Sequence, residues 1–566
     1  MNSTQQTANP GFRHFLDDPA PREQFNGGEV RLSPPALNKA LGKLAQRMAV
    51  SINDERHDPA ATAPQRWENP RIPSGYTYLA QFIGHDLVYS SVSLMPLNNP
   101  VERRNLRTVG LNLDTMYGGG PDDRAVGYWT PHGRNRIKTY LRLGSVREHP
   151  SAQHCPMTFR DLPRTTAARA ETPTGSHGAG PTTLADLTAL TSDPAVVPYG
   201  LPDVLIADSR NDGNAILAQL TVLFHLFHNI VMHNIDAATV DPSAEAHSVK
   251  VRDLINFHKA RSIVVATYRQ IVRDDFLKKI MHPDVYAYYS EGGSTLDKAE
   301  LGKIPIEFSH AAFRFGHTMV RQGYTINKKH NNAQSLERIV MFSSSLSPQR
   351  FPLPSNWLVE WSQFFDLGAV PLIKAPPINL SRKIGPHMAS SMNRNDFIDM
   401  ASQDDANDHP GLPYRDLVRG ARSGLWSVSA LIEKIKHGSP QLALLIDENE
   451  LLTDASVRRE AIAAWLMERK DIRFDPDALA LLSHDPPLGF FVLFEAENQH
   501  PAPGEHLGLL GSIIVGDVIF SLLRNPPQHS AEDTGRFGIP SLSSMSELIC
   551  FIDKHLSEED RRFPLI

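Results

Sequence analysis

From about residue 203 to residue 523 the apolar residues of this chain keep returning at helical spacing, and that rhythm is the tightest constraint on its fold. Windows at 214–236, 248–272, 296–322, 357–366, 427–437, 455–468, 475–483 and 506–523 each read as a helix. An earlier helix reads over 37–50, with Leu37, Leu41, Leu44 and Met48 at helical spacing. No run of alternating Val and Ile and no internal repeat competes with these windows, so the class is mainly α with little β. Polar stretches rich in Pro, Gly, Asn, Asp, Thr or Ser, at 59–73, 93–131 and 145–200, read as long irregular loops. Residues 1–35 read as an arm over the surface, 36–530 as one large domain, and 531–566 as an extension packed on it.

Composition narrows the functions. The 566 residues are 41% hydrophobic and 21% charged, enough for a large core. A net charge of −6 gives no electrostatic footprint for nucleic acid or an anionic membrane surface. Cys155 and Cys550 are the only cysteines, which excludes a disulfide framework and any C-x-x-C metal motif. The longest apolar stretch, Leu507 to Leu523, is broken by Asp517 and falls short of the roughly 20 residues of a membrane span, so it reads as a buried helix. Met1 to Gln6 shows no basic segment followed by an apolar run, so no signal peptide is readable and a cytoplasmic location is expected.

Four stretches carry candidate chemistry. Gly75–Leu87 has the spacing of an amphipathic helix entered after Pro73, with Gln81 and His85 one turn apart on a shared face. Asp208 to Asn214 carries Arg210 and leads into a helix that bears His225, His228 and His233. Two histidines three apart, without an H-E-x-x-H pattern or a nearby acidic ligand, are a weak zinc signal. Glu307 to Val320 carries His310 and His317, and Leu412 to Gly420 carries Asp416 and Arg419. In addition, Thr108, Gly110, Asn112 and Asp114 alternate. An extended segment would put all four on one side, where a hydroxyl, a carbonyl, an amide and a carboxylate can converge on a hard cation.

Ala80-Gln81-Phe82-Ile83-Gly84-His85-Asp86 resembles the distal helix of the animal-type haem peroxidases, the peroxidase-cyclooxygenase superfamily. Asp208 to Asn214, with the later His228-Asn229 pair, resembles the bacterial branch of that family. Glu307-Phe308-Ser309-His310-Ala311-Ala312-Phe313-Arg314-Phe315-Gly316-His317 resembles its proximal helix over nearly every position. With 412–420 and the helices near 487–497 and 507–523, the resemblance runs from about 70 to 525.

The resemblance implies a single large haem peroxidase domain of the myeloperoxidase-like type. By it His85 is the proton-transferring residue with Gln81 beside it, and Arg210 is the fixed cation near the peroxide. His317 is the axial ligand of the haem iron, Asp416 accepts a hydrogen bond from it, and Arg419 pairs with a haem propionate. Arg314 stands against the cofactor, three residues before the ligand, where the oxygenases of the superfamily place a radical-forming Tyr. Asp86, Thr108, Gly110, Asn112 and Asp114 match the family's calcium loop, with Asn112 where many relatives have Asp. The implied function is reduction of hydrogen peroxide through a ferryl state with oxidation of a small organic donor or a halide. The alternatives are a haem-dependent oxygenase acting on a lipid or metabolite, and a non-catalytic haem-binding protein.

Gly84 and Gly213 stand where mammalian relatives carry the carboxylates that form esters to the haem. Neither can form one, so haem b held without a covalent bond is expected. Acidified organic solvent should extract free haem b. Haem that remains on a peptide after denaturation and digestion would contradict this.

Overall fold

The computed structural model describes residues 11–49, 66–89, 105, 107, 110–132, 136–148, 156–165, 203–239, 246–296, 303–329, 333–368, 378–393, 411–524, 535–557 and 565–566. Among these, nine helices position the site: α1 (Pro34–Met48), α2 (Gly75–Leu87), α3 (Ala215–Ala238), α4 (Ala246–Ile271), α5 (Ile306–His310), α6 (Leu412–Arg422), α7 (Leu488–Glu497), α8 (Leu509–Leu523) and α9 (Met545–His555). Shorter helices fill much of 428–484. Strands are few and short, and the molecule is mainly α, as the periodicity predicts.

Helix α3 is the spine. Its amino end is capped by Asn214, whose side-chain oxygen accepts the Leu217 amide at 2.9 Å. It is long and apolar enough to cross a membrane, yet its most apolar stretch is wholly buried in the protein. Phe224 of α3 stacks on Phe82 of α2, with ring centroids 5.1 Å apart and planes 7° from parallel. Tyr268 of α4 meets both rings edge-on, at 6.0 and 5.8 Å. Such pairs add about 0.5–1.5 kcal/mol each beyond the area they bury, so this junction fixes α2 against the spine.

Helix α2 begins at Gly75, a position where nothing larger fits. A Cβ there would lie 2.4 Å from the Phe365 ring and 2.5 Å from the Phe364 carbonyl oxygen. The same contact explains why the helix expected at 357–366 is absent. Only 3-10 turns form, at Ser355–Trp357 and Trp361–Gln363. The Phe364 carbonyl accepts the Gly75 amide, and the Trp361 amide donates to the Leu565 carbonyl. Distant segments have claimed the main-chain groups a helix would use, while the aromatic side chains are buried on several sides.

The helix expected over 296–322 is also broken. Strand Lys303–Pro305 leads into the short α5, the chain departs from helical geometry at Ala311 (φ −135°, ψ −83°), and a 3-10 turn covers Ala312–His317. The break lets the Arg314 Nε reach back to the Ser309 carbonyl at 3.1 Å. The stretch 145–200 is not wholly irregular either, since β-strands Gly144–Arg147 and Pro156–Asp161 pair antiparallel, with Leu353–Pro354 alongside. Nor is 59–73 loop throughout, because Glu68–Pro73 pairs with Leu380–Arg382.

One segment of the amino-terminal arm is drawn into the protein, while most of the described residues from 16 to 35 stay exposed or half-buried. Gly11–Arg13 pairs parallel with Lys303–Pro305, and Phe12 and Phe15 are buried. Glu307, in the first turn of α5, accepts from His14 Nδ1 at 2.9 Å and from the Phe15 amide at 2.7 Å. Two apolar rings draw the segment inward, and one carboxylate satisfies the polar groups that come with them.

Helix α8 is buried from Leu509 to Leu522, as expected for an apolar helix of its length. Glu495 of α7 accepts the Leu510 and Gly511 amides at 2.8 and 3.3 Å, placing a carboxylate at the positive end of α8. The helix's own Asp517 accepts from the Tyr289 hydroxyl at 3.0 Å and the Leu296 amide at 2.6 Å.

After α4 the chain widens into a π-turn, Val272–Leu277. Its Asp275 accepts from the Tyr76 hydroxyl at 2.7 Å, from Lys279 at 2.6 Å and from the Met545 amide at 2.9 Å, so one carboxylate ties the start of α2 to the start of α9. Asp275→Ala leaves two buried donors unmet and should destabilise the fold by about 2–3 kcal/mol. Thermal unfolding should start lower, and limited proteolysis should release the 535–557 segment first. An unchanged midpoint with an unchanged cleavage pattern would contradict this role.

Candidate active site

A cavity of about 740 Å³ opens between α2, the turn at Ser209–Asp212, the proximal turn Ala312–His317 and α6. Gln81, His85, Arg210, Arg314, His317 and Arg419 all line it. These side chains come from four segments spread over more than three hundred residues, and the fold brings them to one space. No Asp or Glu is among the described residues that line it.

On one wall, His85 Nδ1 lies 2.8 Å from Asn211 Oδ1. Burial, and then the Arg210 charge, hold the His85 imidazole down at about 4, with Asn211 and Asp208 offsetting only part of this. His85 is therefore neutral at ordinary pH. Gln81 accepts from Asn214 Nδ2 at 3.4 Å, a long contact.

Arg210 is held on every side. Its guanidinium donates to the Asp208 carboxylate at 2.6–3.1 Å, to the Val88 carbonyl at 2.8 Å and to the His85 carbonyl at 2.9 Å. It also lies 4.5 Å over the Tyr89 ring. The two carbonyls end α2, where the helix dipole is negative and a cation is favoured. Asp208 takes Arg107 as a second partner. Burial would raise the Asp208 carboxyl, but these guanidiniums outweigh it and hold it below the usual range. Asp208 and Arg107 are parts of the site that the sequence pattern alone left unassigned.

On the opposite wall, His317 Nδ1 donates to Asp416 Oδ2 at 2.6 Å. Arg314 pairs with the other oxygen of the same carboxylate. Burial alone would push Asp416 up, yet the imidazole and the guanidinium hold it down at about 2. With its Nδ1 proton so engaged, His317 turns its Nε2 lone pair to the cavity. Arg419, one turn along α6 from Asp416, is lowered to about 10 by burial and by neighbouring Arg314, and it remains a cation.

The other histidines serve elsewhere. His310 lies 2.8 Å from the Ser309 hydroxyl and edge-on to Phe12 at 5.0 Å, facing a separate space of about 30 Å³. The Ala311 break separates it from His317. His228 accepts from the Tyr117 hydroxyl and donates to the Thr139 carbonyl, both at 3.0 Å, while His225 donates to the Arg142 carbonyl at 3.1 Å. These are core histidines, and no group of three or more His, Cys, Asp or Glu able to hold a metal occurs among the described residues.

Haem fits the donors of this cavity. His317 offers a lone pair fixed in direction by a carboxylate, as a haem-ligating imidazole requires. Arg419 suits a propionate, Arg314 lines the same space while bound to Asp416, and Val320, Leu336, Val340 and Phe313 suit the ring. Gly84 and Gly213 both line the cavity and carry no carboxylate toward it.

The calcium loop fares differently. Asp86 spends its two oxygens on the Leu113 and Asp114 amides, at 3.0 and 2.8 Å. Asp114 accepts from Arg261 at 3.0 Å, so a guanidinium stands where a hard cation would have to compete. Gly110 and Asn112 follow the same loop, while Thr108 lies outside the described residues. What braces α2 from behind is carboxylate-to-amide bonding and Arg261.

The model of the animal haem peroxidase family matches residues 192–401. No curated protein matches the chain by sequence. Among solved structures, peroxidase A from Dictyostelium discoideum is similar over 97% of this chain and 93% of its own, at 15% identity and a TM-score of 0.52, which marks a shared fold. Fatty acid alpha-dioxygenases from Arabidopsis thaliana and Oryza sativa are similar over 90% and 98% of this chain and 76% and 88% of theirs. Their identities are 11% and 10%, each with a TM-score of 0.47.

His317→Ala should abolish or severely weaken haem incorporation, whereas His310→Ala and His228→Ala should retain it. The Soret absorbance per protein after reconstitution measures this. Full occupancy with an unchanged Soret band in His317→Ala would contradict the assignment.

Proposed function

We propose that this chain, which belongs to the animal-type haem peroxidases, binds haem b without a covalent bond, with His317 as the axial ligand. With it the chain reduces hydrogen peroxide and oxidises a small organic donor or a halide. The observation that carries this reading is that neutral His85 and fixed Arg210 face the same cavity as the Asp416-bound His317.

When bound, haem would supply the redox centre that stores the two oxidising equivalents of peroxide until two electrons from the donor discharge them. The protein manages protons and charge. His85, neutral at ordinary pH, accepts a proton from the incoming peroxide and delivers it to the departing oxygen, so that oxygen leaves as water. Arg210, which lines the same cavity, would offset the negative charge that develops as the O–O bond breaks. Because Asp208 and the α2 carbonyls already hold its guanidinium, no reorganisation is needed at that moment. Gln81 adds an amide able to orient peroxide on its way in. Across the cavity, the Asp416 carboxylate makes the His317 imidazole a stronger electron donor than an amide partner would, which favours high oxidation states of the metal.

Position 314 also supports peroxidase chemistry over lipid oxygenation. Its side chain is an arginine committed to Asp416 and the Ser309 carbonyl, so no phenol stands there to form a radical. A lipid or metabolite oxygenase would reveal itself by substrate-dependent oxygen uptake without added peroxide.

His85→Ala should still bind haem but react with peroxide about 10²–10⁴-fold more slowly, the usual worth of a positioned general acid-base. In the wild type, the His85 value of about 4 makes the reactive neutral form dominant above that pH. The rate of reaction with peroxide should therefore be level from pH 8 to about 5 and fall as pH drops through about 4. Stopped-flow mixing with peroxide measures both effects. A variant that reacts at the wild-type rate would show that His85 is not the base.

A further inference from the structure

The reaction above asks for a lone pair on the His85 nitrogen that faces the cavity, and one contact decides whether it is there. His85 Nδ1 and Asn211 Oδ1 are 2.8 Å apart, and Asn211 is fully buried. A carboxamide oxygen can only accept, so Nδ1 must carry the proton. In a neutral imidazole the other nitrogen, Nε2, then holds the lone pair. Turning the Asn211 amide over would reverse the outcome, because its Nδ2–H would donate to Nδ1 and leave Nε2–H toward the cavity, unable to take a proton.

We propose that Asn211 is a positioning residue that sets the tautomer of His85, holding Nδ1–H so that Nε2 is free to act as the base. This rests on the reading of His85 as the proton-transferring residue. It adds which residue makes that possible and through which atom.

The backbone explains why the group is well placed. Asn211 lies in the turn at Ser209–Asp212, its amide bonded to the Asp208 carbonyl at 3.1 Å. That turn is pinned to α2 by Arg210 through the carbonyls of His85 and Val88. The segment that carries the cation thus also carries the acceptor, and one turn supplies both requirements of the distal wall. The Asn211 Nδ2 is buried without a hydrogen-bond partner. Leaving a donor unmet has a cost, and the orientation in the structure bears it while satisfying His85.

The partner is also suited to the task in being uncharged. A carboxylate at this position would favour the protonated imidazole, whereas an amide oxygen orients it without adding a negative charge. The proximal side has the opposite choice, with Asp416 on His317.

The test uses the full-length haem-loaded protein at pH 8, where His85 is neutral even beside a carboxylate. Asn211→Leu keeps the volume and removes the acceptor, while Asn211→Asp keeps an acceptor oxygen. Asn211→Leu should slow the reaction with peroxide about 10–100-fold, the usual effect of removing a group that orients a histidine. It should also weaken equilibrium binding of cyanide, which arrives as its conjugate acid and must hand its proton to the same nitrogen. Asn211→Asp should restore both to within a few-fold of wild type. NMR of the ferrous protein bound to carbon monoxide, a diamagnetic state whose ligand brings no proton, with ¹⁵N-histidine label, should find the His85 proton on Nδ1 in wild type and Asn211→Asp, and shared between the nitrogens in Asn211→Leu. If Asn211→Leu matches wild type while His85→Ala loses the reaction, the proposal fails and the reading of His85 stands. A proton found on Nε2 in wild type would overturn the proposal directly. If His85→Ala also matches wild type, the reading of His85 fails and the proposal falls with it. Should Asn211→Leu not fold, Asn211→Asp together with the wild-type NMR signature still decides.

Discussion

One carboxylate, Asp416, holds the proximal wall of the cavity together. It takes the His317 imidazole on one oxygen and the Arg314 guanidinium on the other, and these two outweigh the burial that would otherwise protonate it. The residues it joins are about a hundred positions away in the chain, so the arrangement depends on α6 lying beside the proximal turn. Removing one member of this half-buried set leaves the others uncompensated. The orientation of His317 is thus a property of the packed fold, and no local sequence could fix it alone.

The distal wall is built by the opposite means. His85 sits among cations and an amide, and burial with Arg210 keeps it neutral. Its helix is located by stacking of Phe82 on Phe224 and by the junction with Tyr268, well away from the cavity. Aromatic packing sets where the helix lies, and hydrogen bonds set which way its end points. The proximal segment is likewise held from outside, by Glu307 and the amino-terminal strand. Both walls are supported by contacts that never reach the chemistry.

Much of this was legible in the sequence where the information is local. Helical spacing located α2, α3 and α8, because a one-sided or wholly apolar helix writes its burial into the order of its residues. The spacing of Gln81 and His85 put them on one face, and both line the cavity. The failures are tertiary. At 357–366 the aromatic spacing resembled a helix, but Gly75 and Leu565 claim the main-chain groups. At Ala311 a break splits an apparently continuous helix, and it is this break that sends His310 and His317 to different spaces. Arg261, nearly 150 residues along, bonds Asp114, a partner that the alternation of donor types in that loop did not reveal. Asp208 and Asn211 were in view within the Arg210 stretch. Their partners were not, since a hydrogen bond to His85 across 126 residues leaves no trace in spacing.

The central claim is that one cavity holds haem between His317 and His85. Diffraction from crystals of the haem-loaded protein, with anomalous data collected at the iron absorption edge, tests it most directly. The account predicts a single iron peak bonded to His317 Nε2, with Asp416 still on Nδ1 and His85 facing the opposite side of the ring. An iron peak bonded to His310 or His228, or one placed outside this cavity, would contradict it.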